Sequence, residues 1–174
     1  MFDRIVDATR GDPLRAAAIL VATAGIGAIA SAWFAQFVLE LAPCSLCFAQ
    51  RTPYYIAVPV AVLVIGTANR FPQWVSRGAV LALAALMVWG GIIAAYHAGV
   101  EWHWWAGPDV CADGLSLTPT SAIDLLKQLQ SNPVVPCDVP ALVILGLSMA
   151  GWNALLSAGL AITAMFGIVV SMRK

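Results

Sequence analysis

The chain is 174 residues long, with 61% hydrophobic residues, 10% charged residues and a net charge of zero. Ordinary soluble domains carry about 25% charged residues, so this is the composition of a membrane protein. Nine basic residues balanced by nine acidic ones exclude the basic footprint of a nucleic-acid binder, and with no Cys-x-x-Cys-His among its four cysteines the chain offers no attachment motif for c-type haem.

In chain order, an N-terminal tail with Arg4, Arg10 and Arg15 precedes an uncharged run from Ala16 to Leu39. That run has the length of a transmembrane helix, which needs about 17–25 residues. An arginine-rich start followed by Ala28-Ile29-Ala30 also fits a cleaved signal peptide. The run is long for such a peptide and continues through Trp33 and Phe34, which favours a retained helix. A first outer loop, 40–51, carries Cys44 and Cys47. The second span is predicted at 52–69, and the turn Arg70-Phe71-Pro72-Gln73-Trp74-Val75-Ser76-Arg77 leads to a third at 78–100.

The second outer loop, 101–149, is the only sizeable extramembrane segment and holds Cys111 and Cys137. Ala122, Leu125, Leu126 and Leu129 follow the spacing of a short amphipathic helix. Ser121 is its N-cap and Asp124 suits its first turn, and Asn132-Pro133 and Pro136 end it. The last uncharged run, Val139 to Met172, exceeds one span. Pro140 to Met149 is predicted to lie on or dip into the interface, with the fourth span at 150–172 and Trp152 anchoring its entry. Neither linker nor repeat divides the chain. The expectation is an all-α membrane protein, residues 1–174 forming one domain, a bundle of four transmembrane helices with two outer loops.

Lys and Arg set the orientation. Arg4, Arg10, Arg15, Arg70, Arg77, Arg173 and Lys174 fall on one side, against only Arg51 and Lys127 on the other. Both termini are therefore expected in the cytoplasm and both cysteine loops outside, where disulfides persist.

The chemistry concentrates in Pro43-Cys44-Ser45-Leu46-Cys47-Phe48-Ala49-Gln50-Arg51. Two thiols in Cys-x-x-Cys spacing can make and break a small disulfide and so move two electrons. If a helix starts near Pro43, its unpaired N–H groups stabilise a thiolate, and Cys44, Cys47 and Arg51 share one face. Pro53 leaves a second possibility, in which Thr52 caps a later helix and the cysteines sit in a loop. A static disulfide and a four-cysteine metal centre are the other readings. The Cys111-to-Cys137 separation lacks the paired short spacings of a metal centre, so no metal is expected.

Cys111 and Cys137 alone would read as a loop staple. Beside a Cys-x-x-Cys on the same face they suggest a relay, in which a soluble thiolate attacks the loop pair and electrons pass to Cys44 and Cys47. At a membrane edge, with no flavin or haem motif, a lipid-soluble quinone is the natural acceptor. His97, near the outer end of the third span, and Glu101, one turn later, are candidate pocket residues. Trp102, Trp104 and Trp105 read as an interfacial belt or the border of a quinone site.

Taken in order, Pro43-Cys44-x-x-Cys47 with Gln50-Arg51, Tyr96-His97-x-Gly99-Val100-Glu101-Trp102, Gly107-Pro108-x-x-Cys111, Pro136-Cys137-Asp138 and Met149-Ala150-Gly151-Trp152-Asn153 resemble the disulfide bond formation protein B (DsbB) family. The likeness runs along essentially the whole chain. It implies a quinone-dependent thiol oxidase of the bacterial inner membrane, with the cysteine loops in the periplasm. Cys111 would be attacked by a reduced thioredoxin-fold partner of the DsbA kind, with Cys137 as its intramolecular partner. The Cys44–Cys47 disulfide would reoxidise the loop pair, and Cys47 would be the thiolate nearest the quinone (ubiquinone or menaquinone). Arg51 would bind the quinone, with His97 at the same pocket, and the 107–113 segment would occupy the partner's groove. Glu-Trp-His-Trp-Trp is richer in tryptophan than the pattern of the best-known members, and Glu101 stands where they carry a neutral polar residue. The competing class is a non-catalytic tetraspan scaffold whose loop disulfides are structural.

Overall fold

Asp12 opens the first helix: its carboxylate accepts the backbone N–H groups of Leu14 and Arg15, and Pro13 supplies a first-turn residue that needs no partner. The computed structural model describes residues 11–67, 70–108 and 135–173. Within them lie α1 (Pro13–Phe37), α2 (Ser45–Thr67), α3 (Gln73–Glu101), the strands β1 (Val143–Ile144) and β2 (Leu147–Ser148), and α4 (Met149–Met172). All four helices are long and apolar enough to cross a membrane. The chain is an all-α, multi-pass membrane protein, as its composition predicts. Cys111 and the amphipathic helix expected at 121–129 lie outside the described residues.

Each helix packs on the next, and α4 closes the bundle against α1. The seam is built largely from small side chains, among them Ala17, Ala18 and Ala22 of α1, Ala57 and Ala61 of α2, Ala84 of α3 and Ala161 and Ala164 of α4. Lipid tails are as apolar as leucine, so helices in a bilayer associate through close backbone approach, which small residues permit. Leu83, Met87, Val21 and Val80 fill the remaining interior, and large residues such as Leu63, Ile92, Ile162 and Phe166 point outward.

One helix boundary differs from the apolar pattern. Residues 45–51, expected in the first outer loop, form the opening turns of α2, and the run from Thr52 is the continuation of that helix. The Phe48 N–H donates to the Cys44 carbonyl at 3.3 Å, so the first turn closes on the motif itself. Pro53 neither starts nor ends the helix; it and Pro59 sit inside it. Each removes one N–H, a loss that apolar helices tolerate when neighbours pack around the bend. Gly90 makes this possible, since a β-carbon there would stand 3.3 Å from the Pro53 ring.

The segment expected at the interface before the last span is a two-residue hairpin. Val143 pairs with Ser148 and Ile144 with Leu147. Leu145 and Gly146 both adopt positive φ, 53° and 83°, the signature of the turn that matches strand twist. Ser148 then caps α4 by accepting the Gly151 N–H at 3.1 Å, and the Trp152 indole donates to the Ile144 carbonyl at 2.9 Å, fixing hairpin to helix.

Candidate functional site

The end of α1, the start of α2, the end of α3 and the start of α4 meet at one end of the bundle, as helices alternating in direction must. Between them lies a cavity of about 430 Å³, lined mainly by apolar residues, with Cys44, Cys47, Gln50, Arg51, His97 and Glu101 among its polar ones. A pocket of this size and composition suits an apolar ring with a few polar oxygens.

Cys44 precedes the first turn of α2 and is buried. Its Sγ lies 3.0 Å from Cys47 Sγ, accepts the Cys47 backbone N–H at 3.3 Å, and stands 3.6 Å from His97 Nε2. Both motif cysteines are free thiols. The hydrogen bond from Cys47 lowers the Cys44 pKa most. Burial opposes it, His97 and the backbone donor reinforce it, and the outcome is about 4, well below an ordinary thiol. Cys44 is therefore the thiolate of the reduced pair.

Arg51 follows one turn after Cys47. Its Nη1 donates to Gln36 Oε1 at 2.7 Å and its guanidinium carbon lies 5.2 Å from the Phe48 ring centre. These neutral partners hold the cation at the cavity wall without cancelling its charge. His97 and Glu101, on one face of α3, are both buried, with Nε2 and Oε1 3.9 Å apart. Glu101 Oε2 is buried and has no hydrogen-bond partner among the described residues.

Cys137 arrives from the second outer loop. It is disulfide-bonded, buried, and packed with Cys44 and Val100 in a small apolar cluster bordered by Leu46, Cys47 and Val135. Its Sγ lies 3.7 Å from the Ser45 hydroxyl. The structure thus brings Cys44, Cys47, Arg51, His97, Glu101 and Cys137 to one place. The Cys44, Cys47 and His97 ligand atoms also lie within 4.8 Å of one another, the reach of a small metal centre.

Trp152 lines this cavity, whereas Trp102, Trp104 and Trp105 do not. Trp105 folds back on the end of α3, donating its indole N–H to the Tyr96 carbonyl at 2.9 Å and stacking on the Tyr96 ring at 5.9 Å. Gly99 is required there because a β-carbon would fall inside the Trp105 indole.

Sequence reasoning gave no role to Gln36 or Tyr54, nor to Gln50 and Asn153 beyond their places in the motifs. Tyr54 donates to Asn153 Oδ1 at 2.7 Å, and Asn153 Nδ2 donates to Gln50 Oε1 at 2.7 Å. The available signal was their polarity inside apolar runs, since buried polar groups need partners.

The family model described as "Disulfide bond formation protein DsbB" matches residues 14–167. The chain is 27% identical over 170 residues to the disulfide bond formation protein B of Polaromonas naphthalenivorans (strain CJ2), covering 95% of this chain and 94% of that one. It is 28% identical over 142 residues to the uncharacterized protein RP370 of Rickettsia prowazekii (strain Madrid E), covering 80% of this chain and 78% of the relative. No solved structure matches it significantly.

Proposed function

The chain belongs to the DsbB family of disulfide bond formation proteins, and on that premise we propose that it is a quinone-dependent thiol oxidoreductase that reoxidises a periplasmic thioredoxin-fold dithiol protein of the DsbA kind. The observation that carries this reading is the packing of disulfide-bonded Cys137 against Cys44. It sets the disulfide-bonded Cys137 beside Cys44 of the motif pair, a requirement for thiol–disulfide exchange.

The electrons balance as follows. One thiolate of the partner attacks Cys111 and releases Cys137. The partner's second thiolate then attacks the mixed disulfide, leaving the partner oxidised and the loop pair reduced. Cys137 next attacks Cys44 of an oxidised motif and expels Cys47 as a thiolate. Cys111 closes the loop disulfide on Cys137 and releases Cys44, whose depressed pKa makes it a good leaving group. The loop pair is again oxidised and two electrons reside on the motif, the distribution in which Cys137 is bonded and Cys44 and Cys47 are free.

A quinone supplies the two-electron, two-proton acceptor when bound. Cys47 and Arg51 line the cavity with His97 and Glu101, so a thiol, a fixed cation, an imidazole and a carboxyl group face one apolar chamber. Arg51 would bind and polarise a ring oxygen, with His97 and Glu101 completing the polar wall. Ubiquinone and menaquinone both fit this chemistry.

The same reading puts the protein in a bacterial inner membrane with cytoplasmic termini and periplasmic cysteine loops. Supporting it, Arg77 at the start of α3 donates to the Ser171 carbonyl at 2.6 Å near the end of α4, which puts this cation at the end opposite the thiols. The test is quinone consumption, followed by absorbance, by the purified protein supplied with a reduced thioredoxin-fold donor. No consumption, together with disulfides that resist mild reductant, would leave a structural scaffold instead.

A further inference from the structure

A line of side chains connects the middle of the bundle to the thiols. Tyr54 OH lies 2.8 Å from Ser157 Oγ and donates to Asn153 Oδ1, and Asn153 Nδ2 donates to Gln50 Oε1. Gln50 Nε2 stands 2.6 Å from His97 Nδ1, and on the far side of the ring His97 Nε2 faces Cys44 Sγ at 3.6 Å and Glu101 Oε1 at 3.9 Å. Gln50, His97 and Ser157 are buried.

The chemistry of the donors gives this line a direction. An amide nitrogen only donates, so His97 Nδ1 accepts, and the neutral ring carries its hydrogen on Nε2. The other side of the ring makes the same demand, since a carboxylate oxygen and the thiolate sulfur both accept. Reversing every amide would satisfy the line internally, with Nδ1–H donating to Gln50 and Tyr54 donating to Ser157. It would also turn a bare Nε2 lone pair toward the Glu101 carboxylate and the Cys44 sulfur, which buried acceptors cannot tolerate.

We propose that Gln50, Asn153 and Tyr54 are positioning residues that hold His97 as its Nε2–H tautomer, so that the ring offers Cys44 a hydrogen-bond donor instead of a base or a metal-ligating lone pair. His97 then steadies negative charge on the Cys44 sulfur without taking its proton. Cys44, Cys47 and His97 are close enough to ligate an ion, but a ligating histidine must present a lone pair at the metal and donate its other N–H outward. Gln50 enforces the opposite arrangement and keeps the dithiol available for exchange. The catalytic consequence rests on the redox reading of Cys44; the tautomer does not.

The test is nitrogen NMR of the full chain labelled with ¹⁵N-histidine. The protein has two histidines, so a His103→Asn background leaves only His97, and residue 103 has a positive φ that asparagine accepts. The expected spectrum has hydrogen-bearing Nε2 and bare Nδ1. Gln50→Glu, which places an acceptor at Nδ1, should exchange the character of the two nitrogens, and Gln50→Leu should give a mixture. Tyr54→Phe offers a second route to a mixture should Gln50→Leu fail to fold. A hydrogen on Nδ1 in the wild-type ring would overturn the proposal, as would a tautomer unmoved by Gln50→Glu. Quinone reduction measured on the same samples separates the two readings: an inactive protein with the Nε2–H ring refutes the redox function and upholds the tautomer lock.

Discussion

The Cys44 sulfur and His97 Nε2 lie 3.6 Å apart, joining the start of α2 to the end of α3 across 53 positions of sequence. Neither residue could act alone. A cysteine at a helix start gains some thiolate character from backbone N–H groups, and a histidine near a span end is ordinarily a satisfied interface residue. Together, with Cys47 donating to the same sulfur, they make a stabilised thiolate beside an apolar cavity.

That thiolate has a definite pH signature. The Cys44 pKa is lowered, so its thiolate persists as pH falls and is lost only on passing through about 4. In a chain with Cys111 and Cys137 both changed to Ser, only the motif pair titrates. Its thiolate ultraviolet absorbance should be fully present at neutral pH, where an ordinary thiol at about 8.5 is mostly protonated. Cys47→Ala should raise the midpoint most, and His97→Leu by less, following the order of their effects. A midpoint near that of a free thiol in the parent chain would contradict the geometry.

Arg51 offers charge to whatever occupies the cavity. A charge-assisted hydrogen bond is worth about 1.5–3 kcal/mol, so Arg51→Leu should raise the KM for quinone by about 10-fold to 150-fold. Thermal stability should change little, because the guanidinium's hydrogen-bond partner is the neutral Gln36. Arg51→Lys should fall between, keeping the charge but losing the planar fork. Steady-state kinetics with varied quinone checks the order.

Gly99→Ala should destabilise the fold by about 1–3 kcal/mol, the range for overpacking, because the new methyl group meets the Trp105 indole. The measurement is thermal unfolding in detergent. Combining it with Trp105→Ala should cost less than the sum of the single changes, since both act on one contact.

The relay predicts asymmetric trapping at the loop pair. Cys137→Ser should accumulate a mixed disulfide with the oxidised thioredoxin-fold partner, seen as a reducible band, because the free Cys111 thiolate attacks the partner's disulfide, releasing one partner thiolate, and no Cys137 is present to displace it. Cys111→Ser should form none. Equal trapping across the four single Cys→Ser variants would rule out a specific order.

The fold and the site were legible in the sequence to different depths. Spans could be read because bilayer thickness fixes helix length, whereas a shared face for Cys44, Cys47 and Arg51 followed only on the condition that a helix starts near Pro43. The start of α2 could not be read locally, because Pro53 is compatible with both a helix start and a packed bend; Gly90, on another helix, makes room for the bend. The hairpin at 143–148 was hidden in an apolar run by its two-residue strands. Gln36, Tyr54 and Asn153 were missed because their partners lie on neighbouring helices. Nothing in local spacing pairs Tyr54 with Asn153 at 99 positions' distance.

The most direct test of electron flow through the motif is quinone reduction by Cys47→Ser, with insertion and helix content verified beside the parent. Supplied with a reduced thioredoxin-fold donor, the parent chain should reduce quinone and the variant should not. Normal turnover by Cys47→Ser would contradict the account.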